Sequence, residues 1–192
     1  MLYTRKGDTG TTKVLDSKER FSKGSDMAEA LGALDELNSF LGLCRARARQ
    51  VQEGGVLLSK KARKSILTSD ILQEVQGNLF IVQAQLAGAP GKKIVGRKVT
   101  NIEKIVDAVE KEIPPLKGFS IAGGTELSAL LDVARTVARR CERRVVKVHD
   151  AGVRKLTKDT LAYLNRLSSL LFALARLSNH KSGIKEETPT YR

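Results

Sequence analysis

The segment Ala134-Arg135-Thr136-Val137-Ala138-Arg139-Arg140-Cys141-Glu142-Arg143-Arg144 has the spacing to hold a polyanion. On a helix Arg135, Arg139, Glu142 and Arg143 fall on one face. Three guanidinium groups on one stripe repel one another unless anions meet them, and the single carboxylate of Glu142 is too little for the set. A solvated basic face would give the same pattern. Two features point away from it: Arg135 and Arg139 lie beside the apolar stripe, and Arg143-Arg144 reads as a basic pair that already satisfies the C-terminal dipole of the helix. Near the start, Tyr3-Thr4-Arg5-Lys6-Gly7-Asp8-Thr9-Gly10-Thr11-Thr12-Lys13 has the ingredients of an anion-wrapping loop. Gly7 and Gly10 let backbone N–H groups turn toward a phosphate, and threonine hydroxyls with Arg5 and Lys6 add donors; the same residues also make an ordinary turn. Asn165, Ser169, Phe172 and Arg176 form a mixed stripe beside a leucine face. There Asn165 serves either as an interhelical hydrogen-bond partner or as a ligand contact. Asp35 sits inside an apolar-periodic stretch, where a carboxylate is costly unless an arginine meets it, and the Arg135 segment offers candidates.

Other chemistries lack their residues. The two histidines, His149 and His180, are far apart, and neither a Glu-x-x-His pair, a Cys-x-x-Cys pair nor a GxxxxGK[ST] phosphate loop occurs. Nothing supports a Ser/His/Asp assembly. Cys44 and Cys141 lie among apolar helical positions and read as buried free thiols of a reducing cytoplasm. The 34 Lys+Arg against 21 Asp+Glu give a formal charge of +13, but aromatic content of 4% without Trp makes a base-stacking platform unattractive. No apolar stretch is long enough to span a bilayer, and the opening residues have no signal-peptide core, so the chain reads as untargeted and cytoplasmic.

The elements that must position these residues are helices. The apolar period predicts five. The first follows Ser25 as N-cap and carries Met27, Leu31, Leu34, Leu37, Leu41 and Cys44. The second runs from near Ile66 to Leu86 and closes at Gly88-Ala89-Pro90-Gly91. The third carries Val99 to Ile113 and stops at Pro114-Pro115. The fourth begins after Gly123-Gly124-Thr125 and the fifth near Lys158, with Leu161, Leu164, Leu167, Leu171, Leu174 and Leu177. The expected fold is all-α, a single five-helix bundle over 25–182, with an ordered loop or short ribbon at 1–24 and a tail at 183–192. Residues 50–65, with Gly54-Gly55 and Ser59-Lys60-Lys61-Ala62-Arg63-Lys64, read as a basic connecting loop.

Taken in order, YTRKGDTGTT, GALDELNS, FSIAGGT, ARTVARRCERR and YLNRLSSLLFALAR resemble the PduO-type ATP:cob(I)alamin adenosyltransferases, over about residues 3–178. The resemblance implies a five-helix bundle assembled as a homotrimer, with active sites between neighbouring subunits. It implies transfer of the 5′-deoxyadenosyl group of ATP to the cobalt of cob(I)alamin, with release of triphosphate. By the same resemblance Thr4, Arg5, Lys6, Gly7, Thr12, Lys13 and Lys23 bind ATP, with Mg²⁺ bridging its phosphates rather than bound by protein ligands. Arg139 and Arg143 contact the polyphosphate, Glu142 supports the nucleotide or its metal, and Asn165 binds nucleotide. Asp35 and Arg135 correspond to an intersubunit ion pair. Phe119 matches an aromatic that packs beneath the corrin ring and displaces its lower axial ligand, which makes Co(II) four-coordinate and easier to reduce. Gly123 and Gly124 allow close approach of the corrin. The chain departs from the family at Ser169, where Asn-Arg-Leu-Ser-Asp is usual, which bears on the polar network beneath the corrin. A cobalamin reductase and B12-dependent enzymes are the implied partners, with no nucleic acid and no membrane. The rival readings are a catalytically impaired corrinoid-binding relative and a basic helical nucleic-acid binder.

Overall fold

Ser25, Thr125 and Thr157 start helices in the same way. Each side-chain oxygen accepts the backbone N–H three residues on, from Ala28, Ser128 and Thr160, one of the donors that a helix start leaves unpaired. A computed structural model describes residues 2–15, 17–51, 55–59, 64–116 and 118–191. Its helices are α1 (Asp26–Gln50), α2 (Thr68–Leu86), α3 (Gly96–Glu112), α4 (Glu126–Asp150) and α5 (Lys158–Lys181), as the apolar period predicts. Gly183, at φ +69°, ends α5: its N–H donates to the His180 carbonyl and that of Ile184 to the Asn179 carbonyl. This left-handed closure favours glycine and turns the chain back over the helix end.

The helices pack in the order α2–α1–α4–α5–α3. The row closes where Asn78 of α2 donates to the Tyr163 hydroxyl of α5 and accepts from Lys98 of α3. Leu34, Leu37 and Leu41 of α1, Leu131 of α4 and Leu167, Leu171 and Leu174 of α5 are fully buried, each contributing about 1.5–3 kcal/mol relative to exposure. Charged pairs set α1 and α4 antiparallel: Asp26–Lys147, Glu29–Arg144, Glu36–Arg140 and Arg47–Glu126. At one end of the bundle lie the end of α1, the start of α4 and the ends of α3 and α5, the last two joined by Lys181 and Glu112 at 3.6 Å. At the opposite end Asp159 of α5 stands close to Gly96 at the start of α3.

Two expectations change. Among the described residues of 50–65, the chain forms a hairpin, β3 (Val56–Ser59) against β4 (Lys64–Ile66), rather than a loop. Val56 is fully buried and Leu58 and Ile66 pack on the core, a two-residue alternation too short to show as a period. Gly54 and residues 60–63 lie outside the described residues. Nor do Arg143-Arg144 close α4: the helix continues to Asp150, with Lys147 and His149 in its last turn. The opening segment is a ribbon, β1 (Thr11–Thr12) paired with β2 (Phe21–Ser22), and its Val14 and Phe21 rest on the core.

Candidate active site

The two arginine doublets of α4 are sorted by α1. Arg140 Nη2 lies 2.6 Å from Glu36 and Arg144 Nη2 lies 3.0 Å from Glu29. Arg139 and Arg143 are exposed, one turn apart, and have no carboxylate partner among the described residues. Arg143 Nη1 instead donates to the Arg139 carbonyl at 3.1 Å. Two neighbouring cations without a counter-charge favour an anion from outside. Beside them Glu142 Oε1 accepts from Asn165 Nδ2 at 3.0 Å, not from Arg139. Asn165 Oδ1 in turn accepts from Arg166, whose Nε donates to Glu103 of α3. The chain of contacts aligns Glu142 and Asn165 from two helices into one polar row.

The ion pair within the Arg135 face is local. Arg135 Nε donates to Asp132 Oδ1 at 3.0 Å, and its guanidinium lies 5.8 Å from the Phe172 ring centre. Asp132, which the sequence reading missed, is signalled only by its three-residue offset from Arg135. Asp35 does not pair with Arg135 within the protomer, and the expected buried carboxylate is not buried. Leu34 and Leu37 take the core face of α1, so Asp35 turns outward and is exposed.

In the opening segment Arg5 holds φ +60°, a conformation rare outside glycine, with its guanidinium 5.3 Å from the Tyr3 ring centre. Lys23 Nζ donates to the Gly7 carbonyl at 3.0 Å and Lys23 N to the Gly10 carbonyl at 2.9 Å. These contacts fold the Thr4–Gly10 turn back on the ribbon, leaving Thr4, Arg5, Lys6 and Lys13 exposed and Thr12 half-buried. Among the described residues no hydrogen bond or ion pair joins this segment to Arg139 or Arg143 of the same protomer.

Phe119 is 77% exposed. It lines a cleft of about 580 Å³ with Pro114, Pro115, Leu116, Arg176 and Ile184. An adjoining cleft of about 460 Å³ shares Pro114–Leu116 and Arg176 and contains Ser169 and Phe172. Behind Phe119 the chain turns at Gly123 (φ +133°) and Gly124 (φ +98°). Asn179, 8% exposed, clamps that turn: its Nδ2 donates to the Gly123 carbonyl and its Oδ1 accepts from Thr125 N, both at 2.9 Å. A Cβ on Gly124 would stand 2.7 Å from Asn179 Cγ, whereas one on Gly123 would meet nothing within 4 Å. Gly124 is therefore required by Asn179, a reason the sequence did not disclose. Asn179 and the residues after Ile184 were missed, and Arg176, named in the α5 stripe, was given no role at the loop, because nothing local marks a helix end and tail that fold back on a distant segment.

Burial pushes the Cys44 thiol up to about 11 and that of Cys141 to about 12. Both are buried and unbridged. Among the described residues no cluster of three His, Cys, Asp or Glu side chains could hold a metal ion, and no helix is long and apolar enough to cross a membrane.

The geometry is that of a helical bundle with an unneutralised arginine pair, a donor-rich ribbon and an apolar cleft topped by an aromatic. Comparison with known proteins gives that geometry a family. The family model described as cobalamin adenosyltransferase matches residues 2–178. A corrinoid adenosyltransferase of Bacillus subtilis is 38% identical over 186 residues, 95% of this chain and 89% of the relative. The corrinoid adenosyltransferase PduO of Citrobacter freundii is 36% identical; the alignment covers 93% of this chain and 50% of that longer protein. A variant of the PduO-type ATP:corrinoid adenosyltransferase from Lactobacillus reuteri, complexed with cobalamin and ATP, superposes with a TM-score of 0.83 at 28% identity, covering 100% of this chain and 97% of that one. The chain belongs to the cobalamin adenosyltransferase family.

Proposed function

We propose that the protein transfers the 5′-deoxyadenosyl group of ATP to the cobalt of cob(I)alamin and releases triphosphate. The observation that carries this reading is the sorting of the α4 doublets, in which Glu36 and Glu29 occupy Arg140 and Arg144 while Arg139 and Arg143 stay open to an anion. The electron pair of reduced cobalt forms the Co–C bond to ribose C5′ as the C5′–O bond breaks, and that bond's electrons leave on the triphosphate. Cobalt is the nucleophile, so the chemistry needs no activated serine, cysteine or histidine. It needs alignment, and it needs charge stabilisation for a leaving group of about four negative charges. Each guanidinium–phosphate contact is worth about 1.5–3 kcal/mol, or roughly ten- to hundredfold in rate where it is made only in the transition state.

Thr4, Arg5, Lys6, Gly7, Thr12, Lys13 and Lys23 supply the donors that wrap the phosphates, and Asn165, aligned by Glu142, binds the nucleotide. The residues suit a Mg²⁺ that arrives on ATP: Asp132 is taken up by Arg135, which leaves Glu142, held by Asn165, as the carboxylate beside the open arginines. When bound, the ion would neutralise phosphate charge. Phe119 with Gly123 and Gly124 receives the corrin face, and Ser169 lies in the adjoining cleft.

The ribbon and the Arg139–Arg143 pair meet between copies of the chain in a homotrimer, in which exposed Asp35 reaches Arg135 of a second copy and Asp132 presents that arginine. The unbridged thiols support a cytoplasmic setting, where a reductase supplies the electron that takes the bound Co(II) corrinoid to Co(I) and B12-dependent enzymes take the product.

The test supplies ATP, Mg²⁺ and chemically reduced cobalamin and follows the Co–C product in the visible spectrum. Arg139→Ala and Arg143→Ala are each expected to lower kcat/KM by about ten- to hundredfold. Phe119→Ala is expected to spare ATP binding and impair the reaction that starts from Co(II). No product with the parent protein, or full activity in Arg139→Ala, would overturn the proposal.

A further inference from the structure

The loop that carries Phe119 is held by very little of its own. Phe119 is 77% exposed, and the only hydrogen bond of the Ser120 side chain among the described residues is to its neighbour's carbonyl, that of Ile121. The ties that fix the loop come from the end of α5 and from the tail behind it. At the loop's start, Arg176 Nη2 donates to the Pro114 carbonyl at 2.9 Å. In its middle, Ile121 N donates to the Glu187 carbonyl of the tail at 2.8 Å. At its end stands the Asn179 clamp. The tail is itself held by Arg176, whose Nε and Nη2 grip the two Glu186 oxygens at 2.6 and 2.9 Å. Of the three ties among the described residues, one guanidinium thus controls two, the first directly and the second through the residue next to Glu187. Its own position is fixed by α5 and by the Phe172 ring, whose centre lies 6.0 Å away.

We infer that Arg176 is a positioning residue for Phe119, acting through the Pro114 carbonyl and the Glu186–Glu187 tail. The inference rests on the proposed role of the Phe119 cleft in receiving the corrinoid. The physical warrant is geometric. An arginine fork satisfies a carboxylate with two parallel bonds and still has a donor for a carbonyl, which a lysine ammonium on a flexible stem does not reproduce. The pair is largely sheltered, with side chains 12% and 25% exposed, so solvent and salt screen it less than a surface pair. Without it the loop regains backbone freedom between the end of α3 and the Asn179 clamp, and an exposed aromatic has no packing of its own to hold it.

The experiment compares Arg176→Ala, Arg176→Lys, Glu186→Gln and Phe119→Ala with the parent in the full chain. Three quantities are read: the Kd for ATP, the KM for the corrinoid, and the fraction of bound Co(II)alamin that is four-coordinate in the visible spectrum. Arg176→Ala is expected to lower the four-coordinate to five-coordinate ratio about tenfold, with ATP affinity within about twofold of the parent. Glu186→Gln, a change in the tail, should shift the ratio the same way by less, and Arg176→Lys should fall between Arg176→Ala and the parent. Parent-like corrinoid values in Arg176→Ala, with Phe119→Ala strongly affected, would overturn the inference alone. Equal loss of ATP and corrinoid binding in Arg176→Ala would overturn it too, since the effect would then be general damage. An unaffected ratio in Phe119→Ala would bring down the cleft reading, and this inference with it.

Discussion

Gly124→Ala isolates the clamp that seats the loop before α4. The added methyl would stand 2.7 Å from both Cγ and Nδ2 of Asn179, on a backbone at φ +98°. The conformation alone costs an L-residue about 1–2 kcal/mol. Asn179 is buried between α5 and the loop and must move, which breaks its bonds to Gly123 O and Thr125 N at about 1 kcal/mol each. The sum is about 3–4 kcal/mol, or a fall in Tm of roughly 6–16 °C for a chain of this size. Gly123→Ala is the internal control. Its φ of +133° is also unfavourable, but its methyl meets nothing within 4 Å, so the cost is the backbone term of about 1–2 kcal/mol. Urea unfolding at one fixed protein concentration measures both, since oligomer stability depends on concentration. Pairing Gly124→Ala with Asn179→Ala completes a cycle in which the double variant should be more stable than additivity predicts by about 2 kcal/mol. Equal costs at the two glycines, or strict additivity in the cycle, would refute the clamp.

Two further outcomes follow from the same geometry. Asp35→Arg should shift the assembly toward smaller species in sedimentation, because the proposed partner, Arg135, would face a like charge. The reciprocal swap with Arg135→Asp should not restore it, since the new carboxylate would stand beside Asp132; parent-like sedimentation of Asp35→Arg would refute the pairing. The thiols give a pH dependence of defined sign. Native values of about 11 and 12 lie above the ordinary 9.0, so the unfolded chain releases protons at a pH where the native chain keeps them. Their contribution to stability is full below pH 9 and is lost as pH rises through 9 toward 11 and 12. Urea midpoints at pH 7 and pH 10 should converge in the double variant Cys44→Ala/Cys141→Ala relative to the parent, and an identical pH slope in the two proteins would refute the assignment.

The helices were legible in the sequence because their causes are local. Apolar side chains recur every three or four residues, Ser25 caps, and Gly88-Ala89-Pro90-Gly91 and Pro114-Pro115 stop the chain, all within a helical turn of the effect. The stripe of Arg135, Arg139 and Arg143 was legible for the same reason. Which arginines remain open to an anion was not, because Arg140 and Arg144 are occupied by Glu36 and Glu29, more than a hundred residues earlier in the chain. Their register is set by how α1 packs on α4. The outward turn of Asp35 lies in the helical phase of Leu34 and Leu37, yet the Asp132 contact that occupies Arg135 shows only in the fold. The hairpin Val56–Ile66 was too short to announce a period. Asn179, Arg176 and Glu186 take their roles from a loop that precedes them by dozens of residues. Short-range periodicity and capping are written residue by residue, whereas contacts between remote segments exist only once the core has fixed the distance and orientation between helices.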